Sequence, residues 1–152
     1  MSEDERSEPV VVLACNIDDM TGEELGYALE QLLREGALDA WHTPIVMKKS
    51  RPAVIFSVLC RVQDAPRLRE AMLVHTTTLG VRWQTCERLA CERRLVTVDT
   101  TWGPIRCKLK LLHGRVLTAK AEYEDCATAA QQHGVSLRTV AREAERLALS
   151  AD

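Results

Sequence analysis

Apolar and polar positions fall in blocks along this chain, and the period of each block predicts an element. VVVLACNI at residues 10–17 is a nearly continuous apolar run, which reads as a buried strand. Thr21 and Glu24 set the T-x-x-E pattern of a capping box, and Leu25, Ala28, Leu29, Leu32 and Leu33 follow on one helical face. Gly36 is placed to end that helix in a left-handed turn. A second strand covers residues 38–47, with Pro44 marking an edge or an irregularity because it offers no N–H to a ladder. The polar turn KKSRP leads to a third strand, AVIFSVLCR at 53–61. Asp64 is positioned to cap a second helix, with Pro66 in its first turn, Leu68, Met72 and Leu73 turned inward, and an end near His75. The run TTTLG then precedes a fourth strand over residues 81–90.

This order, strand–helix–strand–strand–helix–strand, is that of the ferredoxin-like unit, an antiparallel sheet with both helices on one face. Beyond it the pattern changes. Residues 94–119 read as a meander with turns at WGP and HGR, and in its middle strand Ile105, Cys107, Leu109 and Leu111 alternate with Arg106, Lys108 and Lys110. One face of that strand is therefore apolar and the other a basic stripe. Two helices close the chain. One runs from Tyr123 to His133 and stops at Gly134; the other is capped by Ser136 and carries Leu137, Val140, Ala141, Ala144, Leu147 and Ala148 as a stripe. The expected class is α+β: a disordered lead-in over 1–9, a ferredoxin-like domain over 10–90, and a β-meander with two helices over 91–152.

Composition narrows the function. A formal charge of −2 argues against a general nucleic-acid binder, and one Phe and two Tyr are too few for a base-stacking sheet. No apolar stretch approaches the ~20 residues of a membrane span. The acidic start MSEDERSEP lacks the features of a signal peptide, so a cytoplasmic location is expected. The six cysteines include no CxxC pair, and the four histidines show no HxxxH or HxH spacing, so structural thiols are expected rather than a zinc site. Arginine outnumbers lysine 15 to 5, and the lysines sit in three places: Lys48–Lys49, Lys108–Lys110 and Lys120. A compact ammonium there would suit phosphate, although five residues also cluster by chance.

Four junctions could carry chemistry. Asp18 and Asp19, adjacent at a strand end, suit a hard cation such as Mg²⁺ or Mn²⁺; the same acids also complement the start of the following helix. In MKKSRP, Lys48, Lys49 and Arg51 could grip a triphosphate or simply solvate a hairpin loop. TTTLGVR offers the hydroxyls of Thr76, Thr77 and Thr78 with Gly80 and Arg82, as an anion-binding loop would, yet threonine runs are equally strand material. AKAEYEDC places Lys120, Glu122, Glu124 and Asp125 at a strand-to-helix junction, as a helix start or as a second group of carboxylates for a cation. No Walker-type GxxxxGK[ST] and no GxGxxG occurs.

As a set, NIDDMTGEELGYALEQLLREGALDAWHTPIVMKKSRP, TTTLGVR, GPIRCK and EYEDC resemble the C-terminal domain of the nickel insertase of nickel-pincer nucleotide biosynthesis, the LarC family, over residues 10–148. The resemblance implies a CTP- and divalent-metal-binding part of an insertase. That enzyme would metallate pyridinium-3,5-bisthiocarboxylic acid mononucleotide while CTP is cleaved to CMP and pyrophosphate. It further implies Mn²⁺ or Mg²⁺ with CTP, nickel as the inserted metal, a hexamer, and a nickel-binding N-terminal domain or subunit as partner. Nickel insertion by this chain alone is not expected. Within the resemblance, Asp18, Asp19, Lys48 and Arg51 are catalytic candidates, and Asp18, Asp19, Glu122 and Asp125 metal candidates. Lys48, Lys49, Arg51, Thr76, Thr77, Thr78, Arg82, Lys108 and Lys120 are nucleotide contacts. Ala121 stands where the family usually has Pro, and Ser50 and Ala53 where it is expected to have Asn and Gly. The alternative reading is a non-catalytic module that binds a nucleotide or anion to regulate a partner.

Overall fold

The structure, a computed structural model, describes residues 7–150. These residues fold into two compact units, residues 7–88 and residues 89–150.

The first unit contains β1 (Ser7–Ile17), α1 (Gly22–Arg34), β2 (Asp39–Met47), β3 (Arg51–Arg61), α2 (Ala65–His75) and β4 (Arg82–Leu89), β4 closing it at Arg88. The strand order in the sheet is β2-β3-β1-β4, with β3 antiparallel to both β1 and β2. This is the ferredoxin-like arrangement expected from the sequence. Val11, Leu13, Cys15 and Ile17 of β1 lie opposite Cys60, Val58, Phe56 and Val54 of β3. That shared face packs against Leu25, Ala28 and Leu32 of α1 and Leu68, Ala71 and Met72 of α2. The period of two along the strands and the 3.6-residue period along the helices therefore meet in one core. Pro44 is tolerated because β2 is an edge strand.

Several expectations are corrected. β1 starts at Ser7, so Ser7–Pro9 belong to a strand rather than to a disordered lead-in; residues 1–6 of that lead-in lie outside the described residues. Asp64 precedes α2 but makes no capping bond; its carboxylate is taken by Arg67 at 3.2 Å and approached by Arg61 at 3.8 Å. Leu73 faces outward and Ala71 takes its place inside, because α2 meets the sheet on the Leu68–Ala71–Met72 stripe. Leu33 is likewise exposed at the margin of α1. Arg51 and Pro52 are already part of β3, which shortens the KKSRP turn to residues 48–50.

The second unit holds β5 (Glu92–Thr100), β6 (Gly103–Leu112), β7 (Arg115–Ala121), α3 (Tyr123–His133) and α4 (Leu137–Ser150), with the meander order β5-β6-β7. Ile105, Cys107, Leu109 and Leu111 are buried and Arg106, Lys108 and Lys110 exposed, as the alternation predicts. The buried face packs on Cys126, Ala129 and Ala130 of α3 and Val140, Ala144 and Ala148 of α4. Leu137, the first residue of the α4 stripe, lies outside that core. Gly134 ends α3 with φ 66°, the left-handed conformation its position requires.

Candidate functional site

In the first unit the antiparallel register brings three chain segments to one end of the sheet. Ile17, the last residue of β1, lies opposite Val54, and Met47, the last of β2, lies opposite Arg51. The loop carrying Asp18 and Asp19 and the turn carrying Lys48 and Lys49 therefore leave the sheet at the same edge. The result is specific contact: Arg51 Nη1 donates to Asp18 Oδ2 at 2.9 Å. The Asp18 side chain is only 22% accessible, so it is ordered against the sheet end, whereas Arg51 is 56% accessible.

The loop between α2 and β4 joins this edge. Thr77 donates its hydroxyl to Asp19 Oδ1. Thr76 instead donates to the Met72 carbonyl at 2.7 Å, closing the end of α2, and Thr78 donates to the Gly80 carbonyl at 3.0 Å, shaping the loop. The Cys15 thiol is pushed up by burial, while hydroxyls of Thr78 and Thr76 and the charge of Arg82 act in the opposite direction. Those influences place Thr76, Thr78 and Arg82 around the same end of β1. Of the three threonines, Thr77 alone reaches an acidic side chain among the described residues.

Lys48 and Lys49 are exposed and make no ion pair among the described residues. Their turn is unusual: Lys49 has φ 62° and Ser50 φ 55°, two consecutive non-glycine residues in the left-handed region. Each such residue costs roughly 1 kcal/mol, so the tertiary structure holds this cationic turn in a strained shape. Strain of that kind is an observation that points toward function.

The six cysteines are free, and among the described residues no group of three or more His, Cys, Asp or Glu is placed to hold a metal. Asp18 and Asp19 supply hard carboxylate oxygens of the kind Mg²⁺ takes with water and phosphate, and in this structure they are held by Arg51 and Thr77. Sequence reasoning missed a neighbouring cleft of about 480 Å³ between the start of α1 and the end of α2, lined in part by Met20, Glu23, Tyr27, His75 and Thr77. The Tyr27 and His75 rings meet edge-on there at 6.3 Å, and His75 Nε2 lies 3.4 Å from Glu35. The only available sequence signal is position, Tyr27 lying three residues after Glu24 and His75 beside Thr76.

In the second unit Lys108, Glu122 and Asp125 form ion pairs, while Lys120 forms none among the described residues. Arg106 grips Asp125 with a fork, Nε to Oδ2 at 2.8 Å and Nη2 to Oδ1 at 2.7 Å, and its backbone N–H adds a bond at 3.0 Å. These bonds hold the Asp125 carboxyl down at about 2. Lys108 Nζ meets Glu122 Oε1 at 2.7 Å, and Lys108 lies directly opposite Lys120 across β6 and β7. The strand alternation by itself puts Arg106 in a solvated stripe; its pairing depends on where α3 begins.

Comparison with known proteins identifies relatives of this chain. Residues 1–141 match the family model described as nickel insertion protein. A pyridinium-3,5-bisthiocarboxylic acid mononucleotide nickel insertion protein of Staphylococcus saprophyticus is 47% identical over 131 residues, 86% of this chain and 34% of its own. The protein of that name from Geobacillus kaustophilus is 42% identical over 91% of this chain and 34% of its own. The chain thus spans about a third of the length of the curated relatives it matches. A solved structure of LarC2, the C-terminal domain of a cyclometallase involved in the synthesis of the NPN cofactor of lactate racemase, superposes with TM-score 0.85 at 40% identity. It covers 94% of this chain and 99% of that one. A Methanopyrus kandleri protein also shares the fold, with TM-score 0.76 at 26% identity over 95% of this chain and 90% of that one.

Proposed function

Because this chain belongs to the nickel insertion protein family, we propose that its first unit binds CTP with a divalent cation. The chain then serves as the nucleotide-binding part of an insertase that metallates pyridinium-3,5-bisthiocarboxylic acid mononucleotide. The observation that carries this reading is the convergence of Asp18, Asp19, Arg51 and Thr77 at one sheet end, beside an exposed lysine turn.

Asp18 and Asp19 would hold Mn²⁺ or Mg²⁺, which supplies charge neutralisation of the triphosphate and of the leaving pyrophosphate. Lys48 and Lys49 meet phosphate oxygens as point charges, and Arg51 supplies a bidentate fork. Arg51 is held by Asp18 in this structure. It turns to the phosphates when the cation takes its place on Asp18, so the two ligands favour each other's binding. Thr76, Thr77, Thr78 and Arg82 form the wall on the α2 side, with Thr77 orienting Asp19. Donors arranged in this way before the reaction stabilise charge as it builds on the departing pyrophosphate, leaving CMP.

In the second unit, Lys108 and Lys120 are phosphate contacts. Glu122 and Asp125 are carboxylates for a cation once Lys108 and Arg106 release them. Nickel is cargo and comes from the partner: an N-terminal nickel-binding domain or subunit accounts for the length of the relatives that this chain does not span. A homo-oligomer, a hexamer by family resemblance, completes the proposal.

Equilibrium binding of CTP against ATP, GTP and UTP, with and without Mn²⁺, tests the reading. Metal-dependent, cytosine-selective binding that is lost in Asp18→Asn/Asp19→Asn and in Lys48→Ala/Lys49→Ala supports it. Folded protein that binds no nucleotide, or all four equally without metal, overturns it.

A further inference from the structure

The outward face of β5, β6 and β7 carries far more positive charge than its carboxylates balance. The register places Lys110 directly opposite Arg93 on one side and Thr118 on the other, and Lys108 opposite Leu95 and Lys120. Arg106 lies opposite Thr97 on the same face. Five cations therefore share one face of a three-stranded sheet, and three of them are among the chain's five lysines. All five are exposed, while the alternate residues Ile105, Cys107, Leu109 and Leu111 point into the core.

Two of these cations are neutralised, Arg106 by Asp125 and Lys108 by Glu122. Arg93, Lys110 and Lys120 have no carboxylate partner among the described residues. Moreover Arg93–Lys110 is an uncompensated like-charged pair directly across the ladder, where Cβ atoms stand about 4.5–5.5 Å apart and repulsion is destabilising. On the next rung Lys120 lies opposite Lys108, with the single carboxylate of Glu122 between two cations. An anion seated between the two pairs removes that repulsion and gains several charge-assisted hydrogen bonds.

We propose that this face is a binding site for a phosphate monoester, and that the ester is the phosphate of the mononucleotide substrate. The class of ligand follows from the charge, and the choice of substrate rests on the function proposed above. The geometry suits a small, multiply charged head group: a cross-strand pair of cations on each of two neighbouring rungs, with Thr118 adding a hydroxyl. It does not suit single-stranded nucleic acid, because the face is built of Arg93, Leu95, Thr97, Arg106, Lys108, Lys110, Thr118 and Lys120 and offers no aromatic ring for stacking.

The test uses the whole chain with nicotinic acid mononucleotide as probe, inorganic phosphate and CTP as controls for the source of the phosphate, and a uridine oligonucleotide as competitor. Binding is read by calorimetry and by backbone amide shifts in Arg93, Lys110 and Thr118. The expected result is mononucleotide binding that moves those amides and falls by about tenfold or more in Arg93→Ala/Lys110→Ala, the loss of two charge-assisted contacts. Mn²⁺-dependent CTP binding should change less than about threefold in the same variant, because neither Arg93 nor Lys110 is among the contacts proposed for CTP. Arg93→Lys should restore most of the binding, which a purely structural role would not require. Mononucleotide binding that is unaffected by the double substitution overturns the proposal. So does oligonucleotide binding tighter than mononucleotide binding, or a face that responds to CTP and not to the mononucleotide. Failure of CTP to bind with metal would instead strike the function proposed for the first unit, and would leave the phosphate result to stand or fall alone.

Discussion

Arg51, the first residue of β3, reaches back to Asp18, just past the end of β1, and donates to its carboxylate at 2.9 Å although 33 positions separate them in sequence. The same guanidinium is the group best shaped for a phosphate, so one residue stands between cation and anion. Replacing it with alanine has opposite effects on the two ligands. Without nucleotide, Arg51→Ala should bind Mn²⁺ several-fold more tightly because its competitor for Asp18 is gone. CTP binding should weaken by about tenfold, the loss of a charge-assisted bidentate contact. Paired titrations of Mn²⁺ and CTP check both directions, and parallel losses would rule out the exchange.

Ser50 follows Lys49 in the left-handed region, with φ 55°. Asparagine adopts that conformation more readily because its short amide can bond locally. Ser50→Asn should therefore raise the urea midpoint, with triphosphate binding retained by calorimetry.

Thr21 and Glu24 form both bonds of a capping box at the start of α1, with Glu24 N–H donating to Thr21 Oγ1 at 3.3 Å and Thr21 N–H to Glu24 Oε2 at 2.7 Å. Thr21→Ala should cost about 1 kcal/mol, the usual worth of a cap. Because α1 begins beside Asp19, the variant should also weaken Mn²⁺ binding modestly, and unchanged unfolding would show that the cap is dispensable.

Asp125 titrates at about 2 because Arg106 and its backbone N–H hold the charged carboxylate. A carboxyl depressed in the folded state stabilises it above the unfolded value, near 3.8, and loses that contribution as pH falls through about 2. Asp125→Asn should melt below wild type at pH 7. The gap should narrow below about pH 4 and close only below about pH 2. Thermal scans across that range check the sign, and carbon-detected titration of Asp125 in Arg106→Ala should show its midpoint moving back up.

Much of the fold is legible because it is written in short-range periods. The β6 alternation, the α1 capping box and the Gly134 stop each depend on residues within a few positions, and all three stand in the structure. Sequence and structure part where two local signals compete. Asp64 has the chemistry of a cap but is taken by arginines, and Leu73 is more apolar than Ala71 but lies on the wrong side of the line along which α2 meets the sheet.

The candidate site divides in the same way. Residue types at strand ends mark Asp18, Asp19, the lysine turn and the threonine loop, since charges and hydroxyls there serve no core. Only the antiparallel register could bring Asp18 to Arg51, and only the packing of α2 could bring Thr77 to Asp19, 58 positions away. The backbone strain at Lys49 and Ser50, the Arg106–Asp125 fork and the like-charged pairs across β6 belong to that second class. Sequence determined the elements because hydrogen bonding and burial repeat locally along the chain. Tertiary structure decided the partners because side chains meet across distances that no local period encodes.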